Sequence, residues 1–439
     1  MTLISTLFSG QSGLEGTSED LSVIADNIAN SDTIGFKSSR ADFEDALAQS
    51  VLGAGQIGTG TQLQAVQKIL SQGAITNTGV ATDLALSGSG FFVVAGNHNG
   101  VDTNYYTRAG QFSIDKNGLL VNPDGLDVQG YSADSSGNVG SLIGNLNIGA
   151  QTTPPQATTT VTMKANLDSN ATIPAAPWDP TNAAATSNFS TGVTVYDNLG
   201  NAIPAQVYFV KTAAGYDYHV TTDGSHLAAP AVAGTNTEIA GGSLSFDPLG
   251  SGKLNQVTVN AADTFQPVGQ ANPQTINFNF GDPLTSNGVT PIVGNTGLSG
   301  VTQFSGNPSA VSFVNQDGYA SGSLASIAID QNGLITGSFT NGSNRDLGQV
   351  AVATFQSPDK LERSGGNLFA QDAESGDPAV GVAGSSGRGS ITSGALEQSN
   401  VDLSNEFIHM IAAQRNFQAD GKSITTADSL LSELMNIKR

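Results

Sequence analysis

The sequence predicts a mainly β protein with α-helical termini, in a nested multi-domain layout of two β domains plus a coiled-coil-like N/C-terminal helix pair. Three observations carry this. All 16 prolines lie between Pro123 and Pro378, which leaves both ends free to form long helices. Apolar residues at both ends recur at alternating steps of four and three, the period of a helix–helix seam. Between the ends the period shifts to two, with frequent turn residues among 53 glycines.

At the N-terminus, Leu3, Leu7, Gly10, Leu14, Thr17, Leu21, Ile24 and Ile28 follow one another along one face, with Gly10 and Thr17 as weak links. Residues 1–28 are the first terminal helix. It ends at Ala29-Asn30-Ser31-Asp32, which is turn chemistry. Residues 29–75 read as a connector with little core of its own. Within it Phe43, Leu47, Val51 and Leu52 stand at near-helical spacing, and a glycine-rich stretch follows from Gly53 to Gly60. Residues 76–146 and 301–399 form a discontinuous inner β domain. Its two halves share the turn Asp-x-Asn-Gly with apolar flanks, at Asp115-Lys116-Asn117-Gly118 and at Asp330-Gln331-Asn332-Gly333. Residues 147–300 form an outer β domain, entered through a Pro- and Thr-rich boundary around Trp178 and carrying a meander with a turn at Asp197-Asn198-Leu199-Gly200. A Gly- and Ser-rich stretch from 381 to 394 leads to the last helix, 400–439. There Leu403, Met410, Phe417, Ile424 and Leu431 recur every seventh residue, with Phe407 and Met435 at the intervening position and Gln414, Gly421 and Asp428 interrupting that second row. Asp402 reads as its N-cap. Each helix exposes an apolar stripe that needs a partner. The partners are the other helix or further copies of the chain.

Composition narrows the function. The charged fraction is 12% and the net charge −21, so neither nucleic acid nor an anionic membrane is an expected partner. There is no cysteine, hence no disulfide or thiolate metal site. No apolar run is long enough to span a bilayer. The N-terminal stretch does not read as a cleaved secretory signal, since its first basic residue is Lys37.

The search for chemistry finds no catalytic, cofactor or metal constellation. Gly53-Ala54-Gly55-Gln56-Ile57-Gly58 matches G-x-G-x-x-G, but position 78, twenty residues on, is Thr78 rather than an acid, so a linker is expected. The two Asp-x-Asn-Gly loops lack the ligands of a calcium loop and are expected to be hairpin turns. His98, His219, His226 and His409 share no ligand spacing. Tyr105, Tyr106 and Arg108 form a polar-aromatic cluster, expected at a strand edge or an interface.

The chain resembles a known family on three blocks of residues. Ala29-Asn30-Ser31-Asp32-Thr33-Ile34-Gly35-Phe36-Lys37 is similar to the N-terminal signature of the axial rod and hook proteins of the bacterial flagellum. Tyr106-Thr107-Arg108-Ala109-Gly110-Gln111-Phe112 resembles the block that follows it. Leu396-Glu397-Gln398-Ser399-Asn400-Val401-Asp402-Leu403, with Ala413-Gln414-Arg415-Asn416-Phe417, resembles the C-terminal signature. The length of 439 residues favours the hook branch of that family over its shorter rod members. The resemblance implies a non-enzymatic structural subunit, without cofactor, that polymerises with itself into a hollow curved tube. The paired terminal helices would line the tube core, and the tube would act as a universal joint between rod and filament. It also implies export through the flagellar type III apparatus, an extracellular place in the hook, and rod, hook-cap and hook–filament junction proteins as partners. A distal rod protein is the alternative within the family. A secreted β-rich adhesin or enzyme is the alternative outside it.

Overall fold

The structure is a computed structural model and describes residues 3–47, 58–149, 152–259 and 264–437. The chain divides into two compact units, one of Met1–Gln151, Leu324–Ser338 and Asn344–Arg439, the other of Thr152–Ser323 and Phe339–Ser343. Residues 301–323, expected with the inner domain, belong to the second unit. Val301 is fully buried in that unit's core, and Ala310–Gln316 pairs there with Thr160–Asn166.

In the first unit helix α1 (Leu3–Ala29) packs against helix α3 (Leu403–Ile437). Strands β1 (Ser39–Leu47) and β2 (Gly58–Lys68) form an antiparallel hairpin laid along α1. This corrects the near-helical reading of Phe43 and Leu47. Phe43 packs beside Gly16 of α1, where an added Cβ would lie 3.3 Å from its ring, and this tertiary contact overrides the local spacing. Val51, Leu52 and Gly53 to Ile57 lie outside the described residues. Gly58 opens a strand, whereas the dinucleotide fingerprint requires a helix there.

The body of the first unit is an antiparallel sheet centred on Phe91–His98, which pairs with Val101–Thr107, Asp127–Ala133 and Asn344–Thr354. Phe91, Val93, Tyr106, Ala353, Leu361 and Phe369 form a core cluster on it. Tyr105 and Tyr106 are thus core residues rather than edge residues. The Tyr105 hydroxyl donates to the Val101 carbonyl at 3.0 Å, and the Tyr106 ring meets Phe355 edge-on at 4.7 Å. Two short ladders bring distant chain segments together: Leu84–Ser87 with Ser390–Ser393, and Ile75–Asn77 with Ala395–Glu397. The Gly/Ser-rich stretch that leads toward the last helix lies next to or within strands, Ala379–Val382 and Ser390–Ser393. Small residues there let backbone approach backbone closely, since a Cβ on Gly389 would meet the Ser87 carbonyl oxygen at 2.4 Å, too near for any side chain.

Both Asp-x-Asn-Gly loops are hairpin turns built alike. Asp115 Oδ1 accepts from the N–H groups of Asn117 and Leu119, and Asp330 Oδ1 from those of Asn332 and Leu334. Gly118 and Gly333 take φ of 84° and 79°, which glycine adopts without strain. The carboxylates are satisfied by backbone donors, and no metal-binding cluster occurs among the described residues.

The second unit holds a five-stranded antiparallel meander in sequential order, from Phe189–Tyr196 to Leu254–Val259. A three-stranded sheet of Asn277–Asn279, Thr160–Asn166 and Ala310–Gln316 shares its core. Tyr216, Tyr218, Phe209 and Phe280 are its largest fully buried side chains, with the Tyr218 and Phe280 rings 4.6 Å apart.

Candidate functional site

Both chain ends converge in the first unit, and every block that carried the resemblance contributes to one site there. It has two parts, the helix pair and a buried polar clamp at its base.

The α1 face toward α3 runs through Gly10, Gly13, Asp20, Ile24 and Asn27. Glycine at positions 10 and 13 admits α3 closely: a Cβ on Gly10 would stand 2.7 Å from Ile424 Cγ1, and one on Gly13 2.7 Å from Asp420 Oδ2. The glycines that weaken α1 as an isolated helix thus set its approach to α3. Ile24 is buried, and Leu7, Leu14, Leu21 and Ile28 are half-buried. The side chain of Leu3 lies outside the description.

On α3 the seam differs from the expected one. Met410, Ile424 and Leu431 are half-buried, but the alternating row is Glu406, Ala413, Asp420 and Ala427, not the row of Phe407. Leu403, Phe407 and Phe417 are 41%, 50% and 43% exposed, as are Ile408 and Ile411 to greater extents. The reason is size. Small Ala413 and Ala427 fit against a glycine-bearing helix at short range, which bulky Phe side chains cannot do. The large apolar residues are left on the outer face. Asp402 caps α3, its Oδ1 accepting from the N–H groups of Ser404 and Asn405.

The clamp centres on Glu397. Its Oε1 accepts from Lys37 Nζ at 2.6 Å and from the Gly73 N–H at 2.9 Å, and its Oε2 from Arg108 Nη1 at 3.2 Å. The Lys37 and Glu397 side chains are fully buried, and Arg108 nearly so. Lys37 also donates to the Ser71 carbonyl at 2.8 Å, and Arg108 Nη2 to the Gly88 carbonyl at 2.7 Å. The Arg108 guanidinium sits over the Phe91 ring at 5.4 Å. Burial holds Lys37 and Arg108 below their ordinary pKa values, and the Glu397 carboxylate opposes both shifts.

Around this centre the signature residues tie the ends together. The Gly35 N–H donates to the Glu397 carbonyl at 2.7 Å. Gly35 has φ 70°, and a Cβ there would lie 2.5 Å from the Ala109 backbone nitrogen. The Ser38 N–H donates to Asn400 Oδ1 at 2.8 Å, while Asn400 Nδ2 reaches the Ile69 carbonyl at 2.8 Å. Phe36 is buried under the Arg363 guanidinium, 5.0 Å above its ring, and Arg363 also binds the Lys37 carbonyl and Asp26. Thr33 donates to Asn30 Oδ1 at 3.1 Å, and Asn30 in turn caps the Asp26 carbonyl. Ala29 is exposed and Val401 half-buried. Asn27 bridges the two parts, exchanging two hydrogen bonds with the Ser39 backbone and donating to Glu406 at 3.2 Å. Burial in the helix pair raises the carboxyl pKa of Asp20 and of Glu406, with His409 pulling both back.

Arg363 and Asn27 were not singled out from sequence, and Arg108 and Glu397 were not seen as partners. Nothing local pairs positions 37, 108 and 397. The one signal was scarcity, since each charge stands out in a chain that is only 12% charged. The site brings together no nucleophile and base; it offers a fixed junction and an apolar helix face.

Models of known families match four stretches: residues 7–37 as flagella basal body rod protein, 85–173 as flagellar hook protein FlgE/F/G D1 domain, 166–319 as flagellar basal body protein FlaE D2 domain, and 392–437 as flagellar basal body rod FlgEFG protein C-terminal. The flagellar hook protein FlgE of Borreliella burgdorferi is 34% identical, over 99% of this chain and 100% of its own length. The chain belongs to the flagellar hook protein FlgE family. The FlgE of Escherichia coli is also 34% identical, over 97% of this chain and 98% of its own. A crystal structure of Helicobacter pylori FlgE2 shares 16% identity and a TM-score of 0.46, covering 74% of this chain and 100% of that one. This FlgE-family chain is a structural subunit of the flagellar hook. Its clamp joins the two segments matched by the family's N- and C-terminal models: Lys37 closes the first match, and Glu397 lies near the start of the second.

Proposed function

We propose that the chain builds the hook by packing the outer face of its α1–α3 pair against the pairs of neighbouring copies. The observation that carries this is the set of large apolar residues left exposed on α3 after it has paired with α1: Leu403, Phe407, Ile408, Ile411, Phe417 and Leu430. Fully burying an exposed side chain of this kind releases roughly 1.5–3 kcal/mol, so these half-exposed ones stand to gain about half of that each. A groove of about 630 Å³ also remains between α1, α3 and the β1–β2 hairpin, lined by Gly13, Asp20, Phe43 and Asn416 among others. The β units then lie outside the helical core. The residues 1–28 and 400–439 are the core segments, and the β domains are the outer layers.

In this reading the polymer is a hollow curved tube that bends while it transmits torque from rod to filament. Sparse charge favours that role, because few strong ion pairs must break as neighbours slide. Rod, hook-cap and hook–filament junction proteins are its further partners. It reaches the outside through the flagellar type III apparatus without a cleaved signal, and it performs no catalysis. The test is complementation: in a bacterium lacking its own hook protein but matched in rod and cap, the chain should build curved hooks visible by electron microscopy. Straight polymers would transfer the reading to a rod protein. Secreted monomer alone would refute it.

A further inference from the structure

We propose that residues 172–178 of the second unit form a strap, closed over one face of the five-stranded sheet by a latch of Trp178 on His219 and Glu238, and able to open while the sheet stays folded. The latch is compact. The Trp178 indole stacks on the His219 imidazole with centroids 4.3 Å apart and planes at 10°. Indole Nε1–H donates to Glu238 Oε2 at 3.2 Å, and Glu238 Oε1 is bonded to His219 Nδ1 at 2.7 Å. The Tyr208 ring flanks the indole at 5.4 Å. The three sheet residues come from consecutive strands, Ala202–Lys211, Gly215–Asp223 and Asn236–Phe246, with Tyr208 directly opposite His219. The sheet thus presents a ready-made seat into which the strap inserts one ring.

Ahead of Trp178 the strap contributes little to its own closure. Thr172, Ile173, Ala175, Ala176 and Pro177 are exposed, and Ile173 at 58% turns an apolar side chain to solvent. The strap's ends are fixed independently of the latch. Asn188 Nδ2 holds the Thr172 carbonyl at 2.7 Å, and Ala183 and Thr186 are buried on the one-turn helix α2 (Ala183–Thr186). Pro174 and Pro177 stiffen the segment between, so it moves as a piece rather than collapsing onto the sheet. Opening therefore lays bare the Tyr208 and His219 rings without disturbing the core beneath, where Phe209, Tyr218 and Val220 face the other way.

Trp178 is the single tryptophan, so its emission reads the latch directly in the full-length chain. Glu238→Ala should shift the emission to the red, raise acrylamide quenching several-fold, and speed chymotryptic cleavage after Trp178 at least tenfold. His219→Ala should act in the same direction. In both, the far-ultraviolet melt of the chain should keep its wild-type cooperativity. Quenching and cleavage unchanged in both variants would overturn the latch. Loss of the cooperative melt in both would overturn it as well, because the cluster would then be part of the core.

Discussion

Replacing Glu397 by Gln tests the clamp most sharply. The substitution keeps shape and removes one charge, which leaves the Lys37 ammonium and the Arg108 guanidinium buried together with no anion between them. In the wild type that carboxylate accepts from Lys37 at 2.6 Å, from Arg108 at 3.2 Å and from the Gly73 N–H at 2.9 Å. Removing one partner of a buried ion pair costs about 3–5 kcal/mol. Lys37 recovers part of this by losing its proton, since burial already holds its pKa below the ordinary lysine value. Arg108 does not, because guanidinium stays charged. The loss expected at neutral pH is therefore about 3 kcal/mol, a large share of the 5–15 kcal/mol typical of a folded chain. At roughly 2–4 °C per kcal/mol, that is a fall of about 6–12 °C in the melting of the first unit. Thermal and urea unfolding by circular dichroism measure it, and raising the pH should narrow the gap as Lys37 is neutralised. A loss below about 0.5 kcal/mol would refute the reasoning, for it would mean that water reaches the pair.

Other outcomes follow from the same geometry. Gly10→Ala gains about 1 kcal/mol of helix propensity but presses on the stiff Ile424 side chain at 2.7 Å, so it should weaken the helix pair by about 1 kcal/mol net, seen as faster amide exchange in α1 and α3. Gly421→Ala meets nothing within 4 Å and should raise helix stability by about 0.5–1 kcal/mol in the same assay. Gly35→Ala adds a Cβ 2.5 Å from the Ala109 backbone nitrogen at φ 70°, and it should destabilise the first unit by at least about 2 kcal/mol in a urea melt. The folded-state pKa values of Glu406 and Asp20 are raised above 4.5 and 3.8, so the folded chain binds those protons more tightly than the unfolded one. Stability of the helix pair should accordingly fall as pH rises through the window just above those values, and Glu406→Gln should flatten that slope.

The helices were legible because a seven-residue repeat survives without tertiary information, and the hairpin turns because Asp-x-Asn-Gly specifies its own hydrogen bonds. Which face of α3 meets α1 was not legible. Hydrophobicity pointed to Phe407 and Phe417, whereas close packing against Gly10 and Gly13 selects Ala413 and Ala427. The β1–β2 hairpin escaped notice because Phe43 earns its place from contact with α1, which no local window contains. The clamp was legible only as three separate signature blocks. Lys37, Arg108 and Glu397 are 71 and 289 residues apart in sequence, and only the folded ladders near Ile75 and Leu84 bring them within one ion pair's reach. Motif resemblance located the blocks, while their joint role is a matter of burial and charge.

The outer apolar face of α3 drives assembly and contributes only modestly to the fold of the single chain. The measurement is sedimentation and electron microscopy of the full-length variant Leu403→Ser, Phe407→Ser, Ile411→Ser, beside its thermal melt. These side chains are 41%, 50% and 51% exposed, so the monomer should keep a cooperative melt lowered by only a few degrees and yet form no tubes under conditions where the wild type does. Tubes of normal length and yield from the triple variant would contradict the account.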